Sequence, residues 1–250
     1  MSHTSEIWQT LPEQLAVCIE RLGTAGFYPG FFQMMKTFAQ IDQYMVFECS
    51  PNNDYVTCRL AHNIERPDLG LKLASLYLDG GYLEDTLLKT LKESVLNQND
   101  SAPCQLLEKR MLPAVYRRRF FSVPELATKF SFVVLDRESQ HLFYINFYSK
   151  QESSFADEQR TALQQASTLI GSLLLKHFRE ERKQRGGIHS LRISGLSERE
   201  AQICHMMLQG HTAKSIGNQL GLQESTVITY KKRAFKKLKI YRKSELVRFI

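Results

Sequence analysis

The sequence predicts an α+β protein in two parts. An N-terminal antiparallel sheet covered by helices, an α/β/α sandwich-like layout, precedes a C-terminal domain of four short helices. Three observations predict it. Short β-prone runs come in pairs with turn-forming residues between them. A long amphipathic stripe then runs from about Phe155 to Arg182. Beyond it, residues 183–250 carry 14 Lys and Arg against 4 Asp and Glu, while the rest of the chain carries 19 against 22. Opposite net charge in the two parts suits a nucleic-acid-binding tail on a neutral or acidic body. The blander reading is a basic solvated surface.

The first part reads as follows. Leu11, Leu15, Cys18, Ile19 and Leu22 have helical spacing, and Gly23 and Gly26 end that helix. A second apolar helix covers 31–39. Residues 44–49 and 55–62 form a strand pair across the turn-forming SPNND. Residues 68–79 and 83–97 are helix-like, and 101–121 shows no clear pattern. Residues 130–136 and 141–148 form a second pair that turns at RESQ. In the closing helix Leu163, Ala166, Ile170, Leu173, Leu174, His177 and Phe178 keep one face. Paired strands, intervening helices and a long closing helix are the layout of PAS- or GAF-like sensory domains.

A polar, Gly-containing stretch places a linker at 181–194, between a sensory domain over 1–180 and a helical domain over 195–250. At 43% hydrophobic and 24% charged, the chain has the composition of a globular protein. Neither a membrane-spanning run nor a secretory signal is expected, and a cytoplasmic protein is. The five scattered cysteines, with no CxxC, fit free thiols better than a disulfide framework or a zinc site. No GxSxG, Walker loop, HExxH or dinucleotide fingerprint appears. No catalytic residue, metal site or cofactor is therefore expected, and the protein is not read as an enzyme.

In the last part, Ser197 is a natural N-cap and acids fill the first turn behind it. Ala201, Cys204, Met207 and Leu208 give an apolar face, and Gly210 ends the helix. Thr212 caps a second helix carrying Ile216 and Leu220. Gly217 within it suggests close packing, and Gly221-Leu222 makes a short turn. A third helix spans about Glu224–Lys239. Val227, Tyr230, Ala234 and Leu238 face inward, while Ser225, Ile228, Thr229, Lys232, Arg233 and Lys236 lie opposite. From Lys231 to Lys243 there are eight basic residues and no acid. Ser244 is read as the cap of a last helix, SELVRFI.

The run Leu196-Ser-Glu-Arg-Glu200, with Gly210, Ile216-Gly217, Leu220-Gly-Leu222, Glu224-Ser-Thr-Val227, Lys237-Leu238, and Lys243 with Glu245-Leu246, resembles the LuxR-type four-helix DNA-binding domain. The resemblance implies a homodimeric, helix-turn-helix transcription regulator of double-stranded DNA. By it, Ile228, Thr229 and Lys232 face base edges, and Thr226, Lys236 and Lys237 lie near phosphates. With Ser225 and Arg233 these are the candidate DNA-binding residues. Ile228 stands where a lysine is common, Tyr230 where a histidine is, and Gln223 at the usual serine cap. Isoleucine suits a thymine methyl and offers guanine no hydrogen bond.

The first domain is similar in length and order to the autoinducer-binding domain of quorum-sensing LuxR-type regulators. The resemblance rests on Leu73-x3-Tyr77-x4-Tyr82-x2-Asp85-Thr86. It implies a small-molecule signal and, from Tyr77 and Asp85, hydrogen bonds to an acyl-homoserine lactone. Leu73 holds the family's tryptophan position and Thr86 its proline position. The candidate ligand residues are Tyr44, Tyr55, Tyr77, Tyr82, Asp85 and Phe132. Tyr44, Phe47, Tyr55, Phe132 and Tyr144 equally suit an ordinary aromatic core. The alternative is a ligand-independent regulator whose first domain is a protein-interaction and dimerisation module.

Overall fold

The computed structural model describes residues 3–52, 56–98, 102–184 and 194–249. The chain divides into two compact units, Met1–Glu48 with Cys58–Glu181, and Cys49–Thr57 with Arg182–Ile250.

The first unit is a sheet between helices. Its elements are α1 (His3–Glu20), α2 (Phe27–Lys36), β1 (Gln43–Cys49), β2 (Val56–Asn63), α3 (Pro67–Leu78), α4 (Thr86–Gln98), β3 (Cys104–Glu108), α5 (Ala114–Arg117), β4 (Thr128–Asp136), β5 (His141–Ser149) and α6 (Asp157–Gln184). The five strands stand in the order β2-β1-β5-β4-β3. β4 and β5 pair antiparallel from Thr128↔Ser149 to Asp136↔His141, and β3 joins β4 from Cys104↔Phe132 to Glu108↔Thr128.

Successive strand residues point to opposite faces, so one sheet builds two environments. Tyr44 and Val46 of β1, Phe130, Phe132 and Val134 of β4, and Phe143, Ile145 and Phe147 of β5 form one core with α1, α2 and α6. Burying each such ring or branched chain stabilises by about 1.5–3 kcal/mol. The other phase of the central strands sets polar groups among apolar ones such as Val133 and Leu142: Lys129 and Ser131 on β4, Tyr144, Asn146 and Tyr148 on β5. All five are buried. This face meets α3, α4 and the segment around α5, where Phe47 stacks on Tyr77 at 4.2 Å and Phe121 meets Tyr148 at 5.8 Å.

Several elements differ from the sequence reading. α1 starts at His3 because Ile7 and Leu11, 2% and 4% exposed, carry its stripe across Pro12. α2 starts at Phe27, whose buried ring stacks on His177 of α6 at 3.8 Å. The unpatterned stretch contains β3, whose CQLLE sequence lacks β-branched residues; pairing with β4 makes it a strand. α6 runs on into the predicted linker as far as Gln184, Glu181 still being buried and 3.7 Å from Arg59. Residues 185–193 of that linker lie outside the described residues.

The second unit holds α7 (Glu198–Leu208), α8 (Ala213–Leu220), α9 (Glu224–Leu238) and a last turn, Lys243–Phe249. Ile203, Cys204, Ile216, Val227, Ala234, Leu238 and Leu246 fill its core. The last segment, read as a helix behind Ser244, is a 3₁₀ helix that begins at Lys243. Its start is held by Glu245, whose carboxylate accepts from the amides of Tyr241 and Arg242 at 2.8 and 2.9 Å.

Candidate functional site

Two regions concentrate chemistry, one in each unit. In the second unit, α7 opens on a capping box. Ser197 Oγ accepts from the Glu200 amide at 3.3 Å, and the Glu200 carboxylate accepts from the Ser197 amide at 2.8 Å. Lys237 Nζ reaches the same carboxylate at 2.6 Å, tying α9 to the start of α7. Burial alone would raise the Glu200 carboxyl, but Lys237 and the Ser197 amide hold it below the ordinary value.

The turn between α8 and α9 depends on two glycines. Gly221 ends α8 in the left-handed region at φ 65°. Leu222 then donates its amide to the Gly217 carbonyl at 2.8 Å, and a Cβ on Gly217 would stand 2.7 Å from the Leu222 carbonyl oxygen. That neighbour is backbone and cannot swing away. Gly217→Ala is expected to destabilise the helical domain by about 1–3 kcal/mol. Thermal unfolding of the full chain, read beside DNA affinity, checks it.

α9 presents two faces. Val227, Ala234, Phe235 and Leu238 are buried, and Lys231 lies 5.3 Å from the Phe235 ring. Ser225, Ile228, Thr229, Lys232, Arg233, Lys236 and Lys237 are exposed, and Thr226 is half-buried. Thr229 Oγ1 donates to the Ser225 carbonyl at 2.9 Å, so its hydroxyl is already engaged within α9. Positions 225, 228, 229, 232 and 236 recur at helical spacing along roughly 16 Å of axis. The result is a stripe of small, apolar and then cationic side chains.

In the first unit, the polar sheet face centres on Asp85, 4% exposed. Its Oδ1 caps α4 by accepting from the amides of Leu87 and Leu88 at 3.1 and 3.3 Å. Its Oδ2 accepts from the phenols of Tyr77, Tyr116 and Tyr144 at 3.0, 3.1 and 3.1 Å. Lys129, 1% exposed, places its Nζ 3.2 Å from that oxygen and donates to the Tyr144 hydroxyl at 2.6 Å. Burial alone would raise the Asp85 carboxyl, but the Lys129 charge, the Leu88 amide and Tyr77 hold it below its ordinary value. For Lys129 burial dominates and lowers the ammonium against the pull of Asp85. Burial and the adjacent carboxylate push the Tyr77, Tyr116 and Tyr144 phenols well up, so they stay protonated donors.

Comparison with known proteins follows this division. No curated protein sequence matches the chain. Residues 194–250 match the family described as bacterial regulatory proteins, luxR family. The second unit carries a luxR-family helix-turn-helix domain. The solved structure of CepR2 from Burkholderia cenocepacia, described as an N-acylhomoserine lactone dependent LuxR family factor, is 9% identical. It covers 72% of this chain and 99% of its own at a TM-score of 0.52. The VqsR LBD domain from Pseudomonas aeruginosa is 18% identical over 68% of this chain and 96% of its own, with a TM-score of 0.49. SdiA from Escherichia coli is 14% identical over 90% and 88%, with a TM-score of 0.41. At these identities the CepR2 likeness gives the fold of the first unit.

Within the luxR-family domain, α9 is the third helix, and all eight residues named from the sequence lie on it. Seven of them are exposed. Among the described residues, Lys237 is the one of the eight held by a carboxylate. In the first unit the structure brings Tyr77 and Asp85 together, with Tyr82 half-buried and its ring 6.5 Å from that of Tyr77. Tyr44 and Phe132 are not brought to Asp85; both belong to the core on the opposite sheet face. Tyr55 lies outside the described residues.

The sequence reading missed Lys129 and Tyr116 and took Tyr144 for ordinary core. A signal was present. HLFYINFY alternates Phe143, Ile145 and Phe147 with Tyr144, Asn146 and Tyr148, and Lys129 is in phase with Ser131 across from them. Polar residues in phase on a buried interior strand mark groups that find their partners inside the fold. Separately, an open cleft of about 510 Å³ lies between α4, the start of β3 and α6, lined among others by Thr90, Ser94, Gln105 and Gln164; it shares no residue with the Asp85 cluster. Among the described residues no group of His, Cys, Asp or Glu is placed to hold a metal ion, and no helix is long and apolar enough to cross a membrane.

Proposed function

We propose that the chain is a cytoplasmic, non-enzymatic transcription regulator. A homodimer reads double-stranded DNA through α9, and the first unit acts as its sensor. The observation that carries this reading is the exposed stripe Ser225–Ile228–Thr229–Lys232–Lys236 on the third helix of a luxR-family domain. Ile228, Thr229 and Lys232 face base edges, Thr226 and Lys236 meet phosphates, and Ser225 and Arg233 contact DNA beside them. Lys237 holds α9 against α7 through Glu200 and reaches phosphate only from that position. The boundary between sensor and DNA-binding domain falls within 181–194.

The signal proposed for the first unit is a small molecule acting at the sheet face of Asp85, Tyr77 and Tyr82. It shares its fold with CepR2, described as N-acylhomoserine lactone dependent. A second reading, regulation without a free ligand through a protein partner, is favoured by one observation: Lys129 already supplies Asp85 with a cation.

Selection from a random duplex library with the ligand-free full chain tests both. Enrichment of a near-palindrome with half-sites about one DNA turn apart is expected of the regulator. Enrichment without added metabolite favours the second reading, and enrichment only with a metabolite extract favours the first. No enrichment under either condition overturns the proposal.

A further inference from the structure

We infer that the Asp85 cluster is a binding cage for a primary ammonium group, occupied in this protein by its own Lys129. The inference rests on the second reading above, regulation without a free ligand, and names the group that fills the site instead. The ammonium lies 3.2 Å from Asp85 Oδ2 and 2.6 Å from Tyr144 Oη, with the Tyr144 and Tyr148 rings at 4.7 and 5.7 Å. A carboxylate, a phenol oxygen and two aromatic rings together recognise a compact cation with several N–H donors. Tyr77 and Tyr116 donate to the same Oδ2 and fix its direction.

Three phenols and the ammonium converge on that one oxygen. A neutral amide or lactone brings no charge to match the one it displaces, and its arrival would leave the Lys129 ammonium buried without its counter-ion. A second primary ammonium matches the cage group for group. It competes poorly because Lys129 is tethered: it sits inside β4, in register with Leu107 of β3 and Tyr148 of β5, so its effective concentration is high. Among the described residues the polar groups around Asp85 partner one another without a small molecule, and a free ligand enters only where Lys129 is removed or drawn away.

Chemical rescue tests this on the full chain. Lys129→Ala deletes the atoms of n-propylamine. The variant is expected to melt below the wild type and to regain melting temperature in a saturable way with n-propylammonium chloride. Neither n-propanol nor sodium chloride at the same concentration should restore it, and the wild type should not respond to the amine. An equal response to propanol and propylammonium, or an unaided variant that melts like the wild type, overturns the cage. If Lys129→Ala yields no folded protein, Lys129→Met is compared with Lys129→Met/Asp85→Asn. Removing both charges should raise the melting temperature above that of Lys129→Met, and an equal or lower value overturns the inference. Wild-type binding to a selected duplex bears only on the regulator reading and melting only on the cage, so the failure of one is distinguishable from the failure of the other.

Discussion

Asp85→Ala is expected to destabilise the first unit by about 3–5 kcal/mol, the cost of leaving one member of a buried ion pair alone. The change strands the Lys129 ammonium, deprives three phenols of their acceptor and uncaps α4 at Leu87 and Leu88. Against a total stability of about 5–15 kcal/mol for a typical domain, that loss is large. Denaturant unfolding of the full chain, followed by circular dichroism, reads it; a midpoint equal to that of the wild type would remove Asp85 from the centre of the cluster. The same group sets an acid limit. Its folded carboxyl is held below the ordinary value. Its contribution is therefore fully present above the unfolded value of about 3.9 and is lost as pH falls through the lower folded one. The first unit should lose stability below about pH 4, and Asp85→Asn should flatten that dependence.

The second large effect is expected on α9. Lys232 lies in the middle of the exposed stripe and Lys236 one turn further along it. Lys232→Ala should weaken binding to a selected duplex by about 1–3 kcal/mol, with much less effect on scrambled DNA. Lys236→Ala should weaken binding to both alike and reduce the slope of log affinity against log salt by about 0.9, one phosphate contact. Lys237→Ala should act differently again. It frees the buried Glu200 carboxylate of its partner, so thermal stability should fall together with DNA affinity. Equal behaviour of all three variants would mean that α9 contributes only general positive charge.

The helical domain was legible in the sequence because its signals are local. Ser197 and Thr212 cap helices through bonds to amides three residues on, Gly221 supplies the left-handed turn, and the apolar phase of α9 is fixed by spacing alone. The paired strands were legible for the same reason. The Asp85 cluster was not, because it is assembled over long range. Tyr77 and Asp85 are eight residues apart, but Tyr116, Lys129 and Tyr144 reach the same oxygen from 31, 44 and 59 residues away. Strand phase told which residues share a sheet face, but the register of β4 against β5 sets Lys129 opposite Tyr148, and only its extended side chain reaches the Tyr144 hydroxyl at 2.6 Å. Tyr44 and Phe132 were drawn into the candidate site by residue type, although their phase assigns them to the opposite face.

The proposed docking of this chain on DNA runs through the cationic face of α9 in the luxR-family domain. It is tested most directly by the salt dependence of wild-type affinity for its selected duplex. Log affinity should fall linearly and steeply with log salt, by about 0.9 for each phosphate contact, and less steeply for Lys236→Ala. An affinity that does not change with salt, or a slope identical in the variant, would contradict it.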